Sequence, residues 1–266
     1  MSILETIVAH KKKEVESCKK LIGLNDLKKQ EYFSRQTYSF TESLCASDKT
    51  GIVAEFKRKS PSKGIINNRV QVEEITAGYA RAGASALSVL TDFNFFGGSA
   101  DDLLKARKVN TIPILRKEFI IDIYQVMESK AMGADAILLI AAIINKKQAR
   151  ELGKAAHEMG LQVLMEFHDE KELDIINEYV DVAGINNRNL NTFVVSLQVS
   201  VDMAPKLPQG MMKISESGIA APDDIVFLSK HGYNGFLIGE NFMKTSDPAM
   251  AFTSFAEALK VRNARK

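Results

Sequence analysis

The chain has 266 residues, 45% of them hydrophobic, and carries 35 basic against 33 acidic side chains for a formal net charge of +2. That length and apolar content suit one large domain with a sizeable core, and the near-neutral balance gives no reason to expect nucleic acid or a membrane surface as a partner. Two cysteines without metal-ligand spacing and four scattered histidines exclude a disulfide or zinc scaffold, so no metal and a reducing cytoplasm are expected.

Residues 1–20 mix charges of both signs and lack a continuous apolar run, which excludes a signal peptide or membrane span there. Ile3, Leu4, Ile7, Val8, Val15 and Leu21 recur at helical spacing, and the stripe reads as a packing face that covers one end of the core rather than as a partner-binding helix. Residues 23–47 read as a second short helix and a connection. From residue 51 onward eight short apolar runs alternate with amphipathic segments: 51–57, 86–92, 113–119, 136–142, 162–167, 182–188, 212–218 and 235–241. The intervening helical patterns, such as VEEITAGYARAG and DIYQVMESKAMG, end at glycine as a helix C-cap does. AGASAL at 82–87 and MGADAI at 132–137 form a weak internal repeat. Eight strand-then-helix units predict an α/β fold, a (β/α)8 TIM barrel with an N-terminal helical extension, rather than an open doubly wound sheet. No GxGxxG follows the first strand, and no Pro-, Gly- or Ser-rich linker divides the chain. A single domain over 1–266 is expected, with 1–48 the extension and 49–266 the barrel.

Barrels of this class build their active sites at the C-terminal ends of the strands. In the first run Glu55 and Lys57 are two residues apart and share one face, and Ser60 and Pro61 follow in a basic, breaker-rich loop suited to an anion. The third run brings Lys117, the fifth Glu166, the sixth Asn186 and Arg188, the seventh Glu216 and Ser217, the eighth Gly239 and Glu240. A solvated rim group or half of an ion pair is an adequate account of any one of them. Charges inside otherwise apolar strands that converge on one mouth must instead be paired or face a ligand, because an unpaired buried ion is costly. Ser217-Gly218 ahead of Pro222, and Gly239-Glu240-Asn241 at another helical turn, offer free amides to a phosphate; the plainer reading is ordinary turn glycines. A lysine near other cations and partly desolvated is expected to have its pKa lowered toward neutrality and to protonate a developing alkoxide while a glutamate accepts a proton. Schiff-base formation by Lys117 or Lys57 would use the same residues, and spacing does not separate the two.

Seven segments, AEFKRKSPSKG (54–64), SVLTDFNFFGGS (88–99), LRKEFIID (115–122), LMEFHDE (164–170), GINNRNLNTF (184–193), ISESGI (214–219) and FLIGENFM (236–243), resemble in order the motifs of the indole-3-glycerol-phosphate synthase family, barrel enzymes of tryptophan biosynthesis. The resemblance implies the decarboxylating, dehydrating ring closure of 1-(2-carboxyphenylamino)-1-deoxyribulose 5-phosphate, with a small phosphorylated molecule as partner and no cofactor. It implies Lys117 as the general acid at the substrate ketone and Glu166 as an acid-base residue of the dehydration. Lys57 is then a partner of the substrate carboxylate or a second proton donor, and Glu55 orients the lysines. Asn186 and Ser217 are implied as polar substrate contacts, and Arg188 as a pocket-supporting arginine paired with Glu216. Phosphate falls to Ser60, Gly218, Gly239 and Glu240, while Phe96 and Phe119 flank the anthranilate ring with Pro61 and Leu139 completing an apolar wall. Glu118 stands where the family commonly has Asp, and FFGGS where FFQGS is usual, placing Gly97 in the second loop. The rivals are another sugar-phosphate barrel, such as a phosphoribosyl Amadori isomerase, which would want an Asp or Cys acid-base pair, and a non-catalytic phosphoribosyl-compound binder, which would not need both Lys117 and Glu166. A monomer is expected.

Overall fold

A computed structural model describes residues 3–190 and 192–263; residues 1, 2, 191 and 264–266 of the expected domain lie outside the described residues. Eight parallel strands close into a barrel: β1 (Ile52–Phe56), β2 (Ala86–Leu90), β3 (Ile114–Lys117), β4 (Ala136–Ile140), β5 (Gln162–Phe167), β6 (Val182–Asn186), β7 (Met212–Glu216) and β8 (Gly235–Ile238). Each pairs with its neighbour in the chain, and β8 closes on β1 with Phe236 opposite Ile52. The eight apolar runs therefore are the eight strands. Four glycines after helices, Gly83, Gly133, Gly160 and Gly232, take the left-handed conformation that terminates a helix.

Side chains alternate across each strand, and the two sets form two cores. Ile52, Leu87, Ile137, Val163 and Ala183 face the surrounding helices, with Tyr79, Phe242 and Phe252 packed behind them. Val53, Leu115, Leu138, Leu164, Val182, Ile214 and Leu237 fill the barrel interior. The N-terminal extension covers both ends of that interior. A short helix, Phe40–Cys45, seals the N-terminal end, where Gln162 Oε1 accepts hydrogen bonds from the amides of Phe40 and Thr41. The long helix Ile3–Leu21 lies over the opposite, C-terminal mouth. A two-residue hairpin, Lys59–Ser60 with Gly64–Ile65, stands in the loop after β1.

The long helix is fixed by Lys11, which is 1% exposed and whose Nζ lies 3.0 Å from carboxylate oxygens of Glu14, Asp92 and Glu118. Burial disfavours the Lys11 ammonium, but the three carboxylates outweigh it and hold its pKa above the ordinary value. Asp92 in turn accepts from the amides of Phe95 and Phe96, and Glu118 from that of Phe119. One buried lysine thus ties the extension to the loops after β2 and β3. Among the described residues no helix is long and apolar enough to cross a membrane.

Candidate active site

Strand parity carries the polar residues inward. Two positions beyond Val53 comes Glu55; beyond Leu115, Lys117; beyond Leu164, Glu166; beyond Ile214, Glu216; beyond Leu237, Gly239. Asn186 holds the same parity on β6, past Gly184. These residues line a cavity of about 500 Å³ at the C-terminal mouth.

Lys117 is the centre of the cluster. Its Nζ donates to Glu166 Oε2 at 2.8 Å and to Glu216 Oε2 at 2.6 Å. Lys57 Nζ donates to Glu55 Oε1 at 2.6 Å, and Asn186 Nδ2 donates to Glu166 Oε1 at 3.0 Å. His168 Nε2 lies 3.1 Å from the same Glu166 oxygen, an ion-pair approach without hydrogen-bond alignment. Two glycines leave the space this needs: a Cβ at Gly184 would collide with Glu216 Oε1, and one at Gly239 would stand 2.5 Å from Glu55 Oε1.

The electrostatics correct one expectation. Lys117 has carboxylates for close neighbours, not cations. Burial opposes its charge, yet Glu166, Glu216 and Glu55 more than compensate and raise its pKa rather than lowering it. Glu166 is also opposed by burial, and Lys117 and His168 hold it well below the ordinary carboxylate range. Glu216 goes the other way: burial, with Glu166 nearby, pushes it up to about 7 despite Lys117. Near neutral pH Lys117 is therefore protonated and Glu166 ionised, and Glu216 is the group of the three that titrates.

All but one of the residues singled out from the sequence border the cavity: Glu55, Lys57, Ser60, Pro61, Phe96, Lys117, Phe119, Glu166, Asn186, Arg188, Glu216, Ser217, Gly218, Gly239 and Glu240. Leu139 does not. It is fully buried among the helix-facing residues, and its neighbours Leu138 and Ile140, one register step away, form the wall instead. Arg188 also differs from expectation. Its guanidinium lies 3.6 Å from Glu240, because Lys117 occupies Glu216. Phe96 and Phe119 pack directly on each other, with ring centroids 5.8 Å apart and planes tilted by 39°, so a substrate ring has room beside the pair rather than between its two members. At the far end the amides of Gly218, Ile219, Glu240 and Asn241 have no protein acceptor among the described residues, while those of Ala220 and Ala221 are taken by Asp224.

Sequence reasoning missed four contributions. Ile3, Leu4 and Ile7 of the extension roof the cavity. His168 sits two residues after Glu166, the spacing that singled out Lys57 after Glu55, and could have been found the same way. Asn187 is 1% exposed and holds Ser217 through its carbonyl while also bonding Ser200 and Ser215; Ser217 needs such support because its φ of 68° is left-handed. Lys11 carried no signal in the sequence beyond being one lysine in a run.

The family model described as indole-3-glycerol phosphate synthase matches residues 4–255. The chain belongs to the indole-3-glycerol phosphate synthase family. A relative of that name from Bacteroides thetaiotaomicron is 46% identical over 258 residues, 97% of this chain and 99% of its own length. Another of the same name, from Bordetella pertussis, is 41% identical and covers 93% of this chain and 96% of its own. Membership makes the chain an enzyme, a decarboxylating carbon–carbon lyase of tryptophan biosynthesis. Among solved structures, a mutant tryptophan synthase alpha-subunit from Pyrococcus furiosus superposes with a TM-score of 0.61 at 14% identity, covering 80% of this chain and 99% of that one, a likeness of fold.

Proposed function

We propose that the cavity carries out the family's ring closure with Lys117 as general acid, Glu166 as base and Lys57 as second proton donor. The observation that carries this is the Lys117 ammonium held between Glu166 and Glu216, at the floor of a cavity walled by an aromatic pair on one side and free amides on the other. The phosphate lies against the amides of Gly218 and Glu240 and beside Ser60, with Arg188 nearby; the anthranilate ring lies against the Phe96–Phe119 pair, below Ile7. That span places the ketone over Lys117.

In the first step the ring carbon bearing the carboxylate attacks the ketone carbon, and Lys117 delivers a proton to the ketone oxygen, which becomes a hydroxyl. The bond to the carboxylate then breaks, carbon dioxide leaves, and its electron pair restores the aromatic ring. In dehydration the hydroxyl departs as water with a proton from Lys57, and Glu166 removes the proton whose loss completes the indole. Glu55 holds Lys57 in place. Asn186 fixes one oxygen of Glu166, and Glu216 retains Lys117 when the substrate competes for it. Lys117 keeps its proton at neutral pH in this account, which favours proton donation over Schiff-base chemistry, since an imine requires the free amine.

We also take residues 1–48 as an extension of one domain whose barrel spans 49–266, a monomer that works in the cytoplasm. The unpaired state of Cys18 and Cys45 supports a reducing compartment. The test is to add the anilino-deoxyribulose phosphate to purified protein and follow indole fluorescence. Product is expected between about pH 6 and 9, the range over which lysine and glutamate pairs serve as acid and base; no product anywhere in that window would overturn the reading.

A further inference from the structure

Among the described residues His168 is the ionisable group that touches the proposed base and has no part in the steps above. It lines the cavity, its side chain is 10% exposed, and its imidazole stands between two carboxylates. Nε2 is 3.1 Å from Glu166 Oε1, and Nδ1 is 4.0 Å from Glu172 Oε2. Glu172 also accepts the backbone amide of His168 at 2.7 Å, so the residue's backbone is anchored to the turn Glu170–Ile175 that follows β5.

The sharing of cations around Glu166 matters during turnover. At rest Glu166 has Lys117 on one oxygen, and Asn186 and His168 on the other. Once Lys117 has given its proton to the ketone oxygen it is neutral, and among the described residues His168 is then the cation left in contact with Glu166. A buried carboxylate left without a cation takes up a proton, and a protonated Glu166 cannot serve as the base of the dehydration.

We propose that His168, as imidazolium, is a positioning residue of this reaction: the standing cation that keeps Glu166 ionised and aimed after Lys117 has discharged. The inference rests on the assignment of Glu166 as base. The groups that face the ring are Glu166 from β5, Glu172 from the following turn and Glu216 from β7, all carboxyls, with Lys117 of β3 beyond Glu166. Burial disfavours the imidazolium, but these carboxyls outweigh it and raise its pKa above the ordinary histidine value. The charge is therefore present below the raised value and lost as pH rises through it, which puts a decline in kcat on the alkaline side.

The experiment compares kcat and KM across pH for the native protein, His168→Gln, Glu172→Gln and Glu166→Gln, with circular dichroism melting curves for each. Glutamine at 168 keeps a donor but no charge, so kcat should fall about tenfold, the value of one lost charge contact, with KM little changed and the alkaline decline gone. Glu172→Gln, which retains the acceptor for the His168 amide and leaves the ring in place, should move the decline to lower pH and stays informative even if the residue-168 variant does not fold. An alkaline limb that persists in His168→Gln, a limb unmoved in Glu172→Gln, or a defect confined to KM would each overturn the proposal. Full turnover in Glu166→Gln would remove the base itself, and with it the reading on which this one stands; loss of turnover there with an unmoved limb in the other variants would defeat the His168 role alone.

Discussion

Glu55 reaches Lys57 only because Gly239 has no side chain. Both residues lie on the inner face of adjoining strands, and a methyl group at 239 would stand 2.5 Å from Glu55 Oε1 and 2.8 Å from its Cβ. Gly239→Ala should therefore push the carboxylate away from Lys57 and also press on β1, since the Cβ of the buried Glu55 is crowded along with its carboxylate. The expected result is a kcat lowered by about tenfold or more through lost alignment, with a lowered melting temperature in a protein that still folds, measured by indole fluorescence and circular dichroism. At this scale the sequence was legible wherever a polar residue shared the parity of its strand's inward set. Leu139 was misread because four apolar residues in a row, Ile137 to Ile140, give no polar marker of which face is which. The partner of Arg188 was misread for a different reason: Glu216 ends the adjoining strand and Glu240 follows the next one along, and with Lys117 bonded to Glu216 it is Glu240 that Arg188 approaches.

The N-terminal helix and the loops after β2 and β3 form one unit through Lys11. Replacing it with methionine keeps the length of the side chain but leaves Asp92 buried without its cation and Glu118 with Arg116 alone, at 3.8 Å, a loss of about 3 kcal/mol or more. The Lys11→Met protein should melt at lower temperature and show a raised KM, because Ile3, Leu4 and Ile7 roof the cavity and Phe96 hangs from the Asp92-capped loop. The sign with pH follows from Glu118. Burial pushes its carboxyl up, but Lys11 and Arg116 bring it below the ordinary value. Its stabilisation is thus present above the ordinary carboxylate range and lost as pH falls through the lowered value; without Lys11 the acid loss should begin at higher pH. Thermal melts across acid pH check both points, and an unchanged profile would show that Lys11 contributes nothing there. The helix itself was plain from its apolar spacing. That it contributes side chains to the cavity was not, since a stripe specifies a buried face without saying what it is buried against. The departure of Glu118 from the family's usual Asp also acquires a physical setting, because its longer side chain spans from Lys11 to Thr91.

For the whole molecule, closure of the barrel turns eight separate strand ends into one mouth. Residues as distant in sequence as Lys57 and Glu240 come to border a single cavity, and the alternation of apolar runs with glycine-ended helices was enough to expect that. The charge distribution inside the mouth was less legible. Strand ends reveal which residues converge but not which carboxylate takes which lysine, and Lys117 was expected to be destabilised by cations when its contacts are anionic. Lys117 thus enters the reaction charged, held by Glu166 and Glu216, and acts as the acid. The direct test is the turnover of Lys117→Met against native protein on the anilino-deoxyribulose phosphate, with folding verified by circular dichroism. The account predicts a fall of about a hundredfold or more in kcat in a folded barrel that still binds substrate; a folded variant with native turnover would contradict it.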